Sequence, residues 1–211
     1  MAHPQINHSS DPIRLFKSPF LEFFTHISPV TITAIWLPVA ILFIVLGWLH
    51  TAPAERWYTL PSGFMVGLFV WTLTEYTLHR FLFHFPAKTA LQHRISFLFH
   101  GVHHAQPQCK TRLVMPPVVS IPLAAVFYGL FLGIFSLIGA VSWLYPFMTG
   151  FLIGYLIYDL THYATHHFPM RSGYLKYIKR YHMQHHYKTP NARYGVSSPL
   201  WDIVFKTKPS E

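Results

Sequence analysis

Residues 30–49 read VTITAIWLPVAILFIVLGWL, from Val30 to Leu49, without one charged side chain. Twenty apolar residues wound as an α-helix span about 30 Å, the thickness of the hydrocarbon core of a bilayer. Working outward, the chain repeats the pattern. Leu60–Leu78 carries a single acid, Glu75, close to its end, and Val118–Val141 is uncharged. After a break expected at Ser142–Pro146 the chain runs apolar again to Leu160, with Asp159 near that end. A soluble helical protein could bury one such run. Four in 211 residues predict an all-α integral membrane protein with about four crossings, paired as two hairpins.

The composition agrees. Apolar residues make up 52% of the chain and charged residues 11%, against about 25% charged in an ordinary soluble domain. The net charge of +9 raises the question of nucleic acid, but no dense Lys/Arg block exists, and a basic rim on an anionic leaflet fits better. Basic residues also set the expected orientation. Arg14 and Lys17 precede the first run, five bases lie between Arg80 and Pro117, and eight follow Thr161. The connection at 50–59 has only Arg56, and Ser136–Tyr145 has none. The three basic segments therefore belong on the cytoplasmic side. Residues 1–29 read as a short cytosolic or interfacial segment and 30–211 as the membrane domain, with no Ala-x-Ala-like cleavage site close behind the first run. Cys109 is the only cysteine, so an intrachain disulfide and a Cys-rich metal site are both excluded.

Sixteen histidines are the second anomaly, and most cluster at the predicted cytoplasmic ends of the runs. EYTLHRFLFH supplies His79 and His84; FHGVHH supplies His100, His103 and His104; YDLTHYATHH supplies His162, His166 and His167; YHMQHH supplies His182, His185 and His186. Three- and four-residue spacings on a helix stack imidazoles on one face, and neutral imidazole suits iron, zinc, copper or nickel. Two copies of His-x-x-His-His beside membrane runs are poorly explained by packing. Two metal ions with several ligands each need about this many histidines. His167 points about 100° away from His166 on a helix and is set beside the ligands. His3, His8, His26 and His50 are isolated and read as ordinary surface or packing residues, and His93 falls outside the repeated spacing. Glu75, four residues before His79, and Asp159, three before His162, are expected to accept hydrogen bonds from the far ring nitrogens of those histidines. The competing reading pairs each acid with an arginine, Arg80 or Arg112.

These strings, together with RLVMPP and GVSSPLWDIVF, closely resemble the fatty acid 2-hydroxylase family of the fatty acid hydroxylase and sterol desaturase superfamily, over roughly Ser18–Thr207. The resemblance implies a four-helix membrane base, a helical cytosolic cap and a dimetal centre. It implies as ligands His79, His84, His100, His103, His104, His162, His166, His182, His185 and His186. It also implies O2-dependent hydroxylation of the α carbon of long acyl chains, either free or in ceramide and other sphingolipids. Two departures stand out. No fused cytochrome b5-like domain or HPGG string is present, so a separate donor is expected, cytochrome b5 with its reductase or a ferredoxin. Gln108 and Cys109 stand where relatives commonly carry Met-Asp.

Oxidising an alkyl C–H bond needs redox chemistry that no side chain supplies. Iron is therefore expected for catalysis; zinc favours the same ligands but is redox-inert. Tyr163, Arg171, Tyr181, Tyr187, Asn191 and Arg193 are the expected substrate contacts, with no catalytic side chain beyond the metal ligands. The active site is expected on the cytoplasmic face, of the endoplasmic reticulum in a eukaryote or of the inner or plasma membrane in a bacterium. Two rivals compete with this reading: a related oxygenase or desaturase acting on sterol, carotenoid or alkane, and a histidine-lined metal transporter. The transporter would place its histidines near the bilayer midplane rather than at the run ends.

Overall fold

The computed structural model describes residues 6, 7, 9 and 11–209. His3 and His8 lie outside them, as do the first five residues and Ser10 of the N-terminal segment. Among the described residues all regular secondary structure is helical. Helix α1 (Pro19–Phe23) precedes four long helices: α2 (Pro29–His50), α3 (Arg56–Thr77), α6 (Pro117–Leu137) and α7 (Val141–His167). Between α3 and α6 lie two π-helical turns, Leu78–Phe83 and Phe97–Gly101, with α4 (Ala90–Ser96) and α5 (Val102–Ala105). Helices α8 (Gly173–Tyr187) and α9 (Leu200–Val204) complete the chain.

Helices α2, α6 and α7 are long and apolar enough to cross a membrane. Helix α3 is as long as α2, at 22 residues, but less apolar, and it lies against α7. Helix α7 is the axis of the molecule: α2, α3 and α6 all pack on it, and two-thirds of its apolar stretch is buried. Around it an aromatic core forms, with Trp71 edge-on to Phe151 at 5.1 Å and Trp36 edge-on to Tyr155 at 5.7 Å. Helix α6 is nearly bare, presenting Val126, Leu130 and Ile134 outward. An outward apolar face on a long helix is what lipid contact requires.

Helices α3 and α7 meet through glycine. Gly67 on α3 lies against the α7 backbone at Phe147–Phe151, and Gly150 on α7 against the α3 backbone at Phe64–Leu68. Gly63 and Gly154, each four residues from one of them, take the Pro146 ring and the Trp71 side chain. A Cβ on Gly67 would stand 1.9 Å from the Phe147 carbonyl oxygen, and one on Gly150 would stand 1.9 Å from that of Phe64. Without hydrogen in both places the two backbones could not touch. Small residues of this spacing are the usual means of close helix contact in lipid, where burial of apolar surface gives no driving force.

The break between the last two long helices lies earlier than Ser142–Pro146. Helix α6 ends at Leu137, Gly139 turns the chain with φ of 67°, and α7 already begins at Val141 and runs through Pro146. Gly139 supplies the left-handed conformation cheaply. Pro146 sits near the helix start, and its ring packs at the α3 contact, where it would meet any side chain at Gly63.

Candidate metal centre

Four elements deliver the histidines. The first is the extension of α3. On a straight α-helix, residues five apart point about 140° away from each other. The π-helical turn Leu78–Phe83 absorbs that difference, closed by the His84 amide donating to the His79 carbonyl at 3.1 Å, so both rings reach one place. The second π-helical turn carries His100 and leads into α5 with His103 and His104. His162 and His166 are one turn apart near the end of α7. Helix α8 supplies His182, His185 and His186, and Lys179 anchors it there by donating to the Thr165 and Phe168 carbonyls at 2.6 and 3.0 Å.

The ten imidazoles form two groups of five. His79, His84, His100, His104 and His185 make one; His103, His162, His166, His182 and His186 make the other. Within each group one ring nitrogen per residue lies within 4.8 Å of all the others. Each His-x-x-His-His box is divided. His100 and His104 serve the first group and His103 the second, whereas His182 and His186 serve the second and His185 the first. The outer two of each box are four apart on a helix and share a face; the middle one is rotated away. Each hairpin thus furnishes four nitrogens to one group and lends one to the other.

The neighbouring Nε2 atoms stand close: His103 to His162 and to His186 at 2.9 Å, His166 to His182 at 3.0 Å, His79 to His100 at 3.1 Å, and His185 to His104 at 3.2 Å. Two ligands about 2.1 Å from one ion and at right angles are roughly 3.0 Å apart, so the donor set fits a transition-metal ion in each group. The protonation states agree. Burial drives the rings of His79, His84, His100, His103, His104, His182, His185 and His186 below the usual histidine range, and crowding by neighbouring imidazoles adds to it. His84 falls to about 3. Neutral rings offer the lone pairs that a metal takes. In the first group the tautomer is also set: His79 Nδ1–H donates to the Tyr194 carbonyl at 2.5 Å and His185 Nδ1–H to the Ala192 carbonyl at 2.7 Å, leaving both Nε2 atoms free to bind.

The two carboxylates act differently from expectation. Glu75 accepts from the amides of Val196 and Ser197 at 2.6 and 2.7 Å and from the Ser197 hydroxyl, not from His79. Asp159 accepts from the Met115 amide at 3.2 Å, not from His162. Both carboxylates hold loops. Nor do they pair with arginine: Arg112 pairs with Glu22, and Arg80 donates to the Tyr76 hydroxyl at 2.7 Å. His167 lies in neither group and packs on Tyr163 with ring centroids 4.7 Å apart. His93 is exposed, His50 stacks on Tyr145, and His26 bonds Thr111 at 2.7 Å.

A cavity of about 270 Å³ reaches both groups through His100, His103 and His162. Its walls are Phe83, Leu98, Phe99, Val102, Leu113, Val114, Met115, Pro116, Val118, Val119, Tyr158 and Asp159, together with Leu15, Phe16, Phe24 and Thr25 from the N-terminal segment. None of the six expected substrate contacts lines it. Arg171, Tyr187 and Asn191 are exposed; Tyr163 lies beside His167; Arg193 covers Tyr181 at 5.8 Å and donates to Thr189 at 2.6 Å. Those residues neighbour the second histidine pair and box in the sequence, whereas the cavity is lined largely by residues 98–119. Its polar lining besides the histidines is Thr25, Arg112, Tyr158 and Asp159, and of these Arg112 opens the RLVMPP string.

Comparison with known proteins agrees with this geometry. Residues 64–207 match the family described as Fatty acid hydroxylase. The chain is 38% identical over 199 residues to the dihydroceramide fatty acyl 2-hydroxylase FAH2 of Arabidopsis thaliana, covering 93% of this chain and 80% of that one. It is 40% identical over 191 residues to the ceramide very long chain fatty acid hydroxylase SCS7 of Saccharomyces cerevisiae, covering 88% of this chain but only 48% of the yeast protein. A solved structure described as full-length scs7p with only the hydroxylase domain visible superposes with a TM-score of 0.82 at 36% identity, covering 90% of this chain and 70% of that one. With its paired histidine groups and its match over two-thirds of its length, the chain belongs to the fatty acid hydroxylase family and, within it, groups with the fatty acid 2-hydroxylases.

Proposed function

We propose that this protein is a membrane fatty acyl 2-hydroxylase that inserts one oxygen of O2 at the α carbon of a long acyl chain, free or carried in a ceramide. The observation that carries the reading is the apolar cavity touching histidines of both groups at once. The names of the relatives support the acyl and ceramide substrate class.

His79, His84, His100, His104 and His185 would hold one ion, and His103, His162, His166, His182 and His186 the other. Iron in both groups would supply the O2 activation and the redox change that C–H oxidation needs. The remaining work belongs to the chain. Tyr194 and Ala192 carbonyls keep the protons of His79 and His185 on Nδ1. Phe83, Phe99 and Met115 exclude water and confine the acyl chain. Electrons come from a separate carrier, such as cytochrome b5 with its reductase or a ferredoxin.

We place α2, α3, α6 and α7 across the bilayer as four crossings, with residues 1–29 at the interface and residues 30–211 as the membrane domain. The histidine groups would sit in a cap on the cytoplasmic face, of the endoplasmic reticulum or of a bacterial inner membrane. The position of both groups at helix ends supports this over a transporter, whose histidines would line the spans.

The test is expression of the wild type and a His103→Ala/His185→Ala variant in a host without its own 2-hydroxylase, with the donor supplied. One ligand is then lost from each group. Hydrolysed total lipids are analysed by mass spectrometry for 2-hydroxy fatty acids. Product from the wild type and none from the variant is the expected result. No product from folded, iron-loaded wild type with a working donor would sink the reading and bring sterol, carotenoid or alkane oxidation forward.

A further inference from the structure

We infer that the outer face of α8, with Lys176, Arg180, Tyr187 and Lys188 and with Lys208 beside it, is the docking surface for an acidic one-electron carrier protein. The inference rests on the hydroxylase reading and deepens it by saying where the electrons enter. Each hydroxylation breaks one C–H bond and one O–O bond, forms an alcohol and a water, and consumes two electrons and two protons. A carrier that is oxidised by one electron at a time therefore docks and leaves twice per turnover. It must dock near the metal groups, because electron transfer through protein slows steeply with distance.

Helix α8 carries ligands for both groups, His182 and His186 for one and His185 for the other. At about 100° per residue, Lys176, Arg180 and Tyr187 lie roughly 120° to 160° round the helix from His182. All three are exposed, whereas His182 and His185 are wholly buried. A single helix, about 10 Å across with its side chains, therefore separates this outer face from ligands of both groups. Tyr187 shortens the way further. It is 47% exposed, and its ring centroid stands 6.2 Å from that of His186.

The charge on this face is of one sign and free. Lys176, Arg180, Lys188 and Lys208 are all exposed, and Lys208 Nζ lies 6.0 Å from the Tyr177 ring centroid on the same helix. Helix α8 itself has no acid. Among the described residues the exposed acids are Asp11 and Glu55, and Glu55 belongs to the α2–α3 connection at the far end. The ion pairs among the described residues are those of Glu22 with Arg112 and His26, so no acid neutralises the four bases. An acidic surface is their complement: attraction at long range speeds encounter, and tyrosine and arginine are side chains that interfaces favour. Lipid would ask for large apolar side chains on the same stripe, whereas Lys176, Arg180, Gln184 and Tyr187 occupy it. Exposed Phe20, Leu21 and Phe23 place that apolar character on α1 instead.

The experiment uses the full chain, iron-loaded and oxidised, in discs of phosphatidylcholine. The probes are the soluble haem domain of cytochrome b5 and a plant-type ferredoxin, each reduced beforehand and mixed without O2. Binding is read by surface plasmon resonance and electron transfer by stopped-flow absorbance of the carrier; neither readout needs a hydroxylated product. Lys176→Glu/Arg180→Glu is expected to weaken carrier binding roughly 10- to 100-fold and to slow transfer to match. The wild-type rate should fall as salt is added and that of the variant should not. Lys176→Gln/Arg180→Gln should show a smaller loss. Lys88→Glu/Arg94→Glu makes the same charge change at exposed positions near α4 and should stay within about twofold of the wild type. Dithionite, which needs no docking face, should deliver the same number of electrons to every form, showing that the metal groups are intact. The inference is overturned if the α8 reversal leaves binding and transfer unchanged, or if the α4 reversal is equally harmful. It is also overturned if the α8 reversal acts only in discs containing phosphatidylserine, which would assign the face to lipid, or if neither carrier reduces a wild type that dithionite reduces. A wild type that binds and oxidises the carrier but yields no 2-hydroxy product would strike the hydroxylase reading and leave the docking face standing.

Discussion

His79 and His185 rest their Nδ1 protons on two carbonyls of one loop, Tyr194 and Ala192, and that loop has no regular structure of its own. Two buried carboxylates hold it. Glu75 takes the amides of Val196 and Ser197, and Asp202 takes those of Tyr194 and Gly195 at 2.9 and 2.7 Å. Gly195 is required there, since a Cβ would meet the Ser198 carbonyl oxygen at 2.0 Å. Glu75→Gln puts an amide N–H where a donor already points, so it should cost about 2 kcal/mol of stability and loosen the first group. Metal content should drop from two ions per chain toward one, read by elemental analysis beside a thermal melt; two ions retained at an unchanged melting temperature would refute the role. The four histidine clusters were legible because each is local in the sequence, and the ten that the two groups bring together are the set the family resemblance implied. The partners of Glu75 were not, since they lie 121 and 122 residues away and helical spacing points only to His79. Glu22 gives a pH prediction. Burial would raise its carboxyl, but the Phe16 and Leu15 amides and Arg112 outweigh this and hold it below the usual value of 4.5. A depressed folded-state value means that its contribution is complete above about pH 4.5 and fades as the pH falls further. Proteolysis within residues 11–25 should accelerate in that acid range in the wild type, and Glu22→Gln should cleave at the faster rate even at neutral pH.

At the scale of elements, the hairpin pattern explains why one chain can build two similar metal groups. Each half runs two long helices, then a histidine pair, then a His-x-x-His-His box, and each box lends its middle histidine to the opposite group. The pairs differ in spacing, five residues at His79–His84 and four at His162–His166, and only the first needs a π-helical turn. That turn was invisible to helical periodicity, which assumes 3.6 residues throughout. The glycine contact between α3 and α7 was overlooked for another reason. Four-residue glycine spacing was present in the sequence, but it names no partner until two such helices are seen face to face. Gly67→Ala should push the helices apart and cost on the order of 3 kcal/mol, more than a surface change on the same helix. The fraction remaining monodisperse on size exclusion after heating in detergent measures this, with the exposed Val66→Ala as comparison; equal survival of the two would show that the contact is not tight.

The whole molecule is polarised along its long axis, and that polarity carries the last prediction. At one end the α2–α3 connection presents exposed Trp48, Trp57 and Tyr58, with the Arg56 guanidinium 4.3 Å from the Trp48 ring. Tryptophan and tyrosine with one nearby arginine are what an interface selects. At the other end lie both histidine groups, nearly all remaining basic residues, and exposed Phe20, Phe23, Phe81 and Phe99. Aromatic side chains on the short elements of this end would sit at headgroup level and keep the cavity mouth in contact with the bilayer, from which a lipid must enter. The two ends should then lie about 33 Å apart, the length of α2 at 1.5 Å per residue, on opposite faces of the membrane. Cys109 is the only cysteine and is buried, so a Cys109→Ala background permits the measurement. Into it go Glu55→Cys on the connection and Lys188→Cys beyond α8, both exposed positions. In sealed inside-out vesicles a membrane-impermeant maleimide should label Lys188→Cys at once and Glu55→Cys only after detergent. Intact cells or right-side-out vesicles should give the reverse. Labelling of both from the cytoplasmic side would mean an even number of crossings between the two positions, and labelling of both only from outside would in addition turn the histidine cap away from any cytoplasmic electron donor.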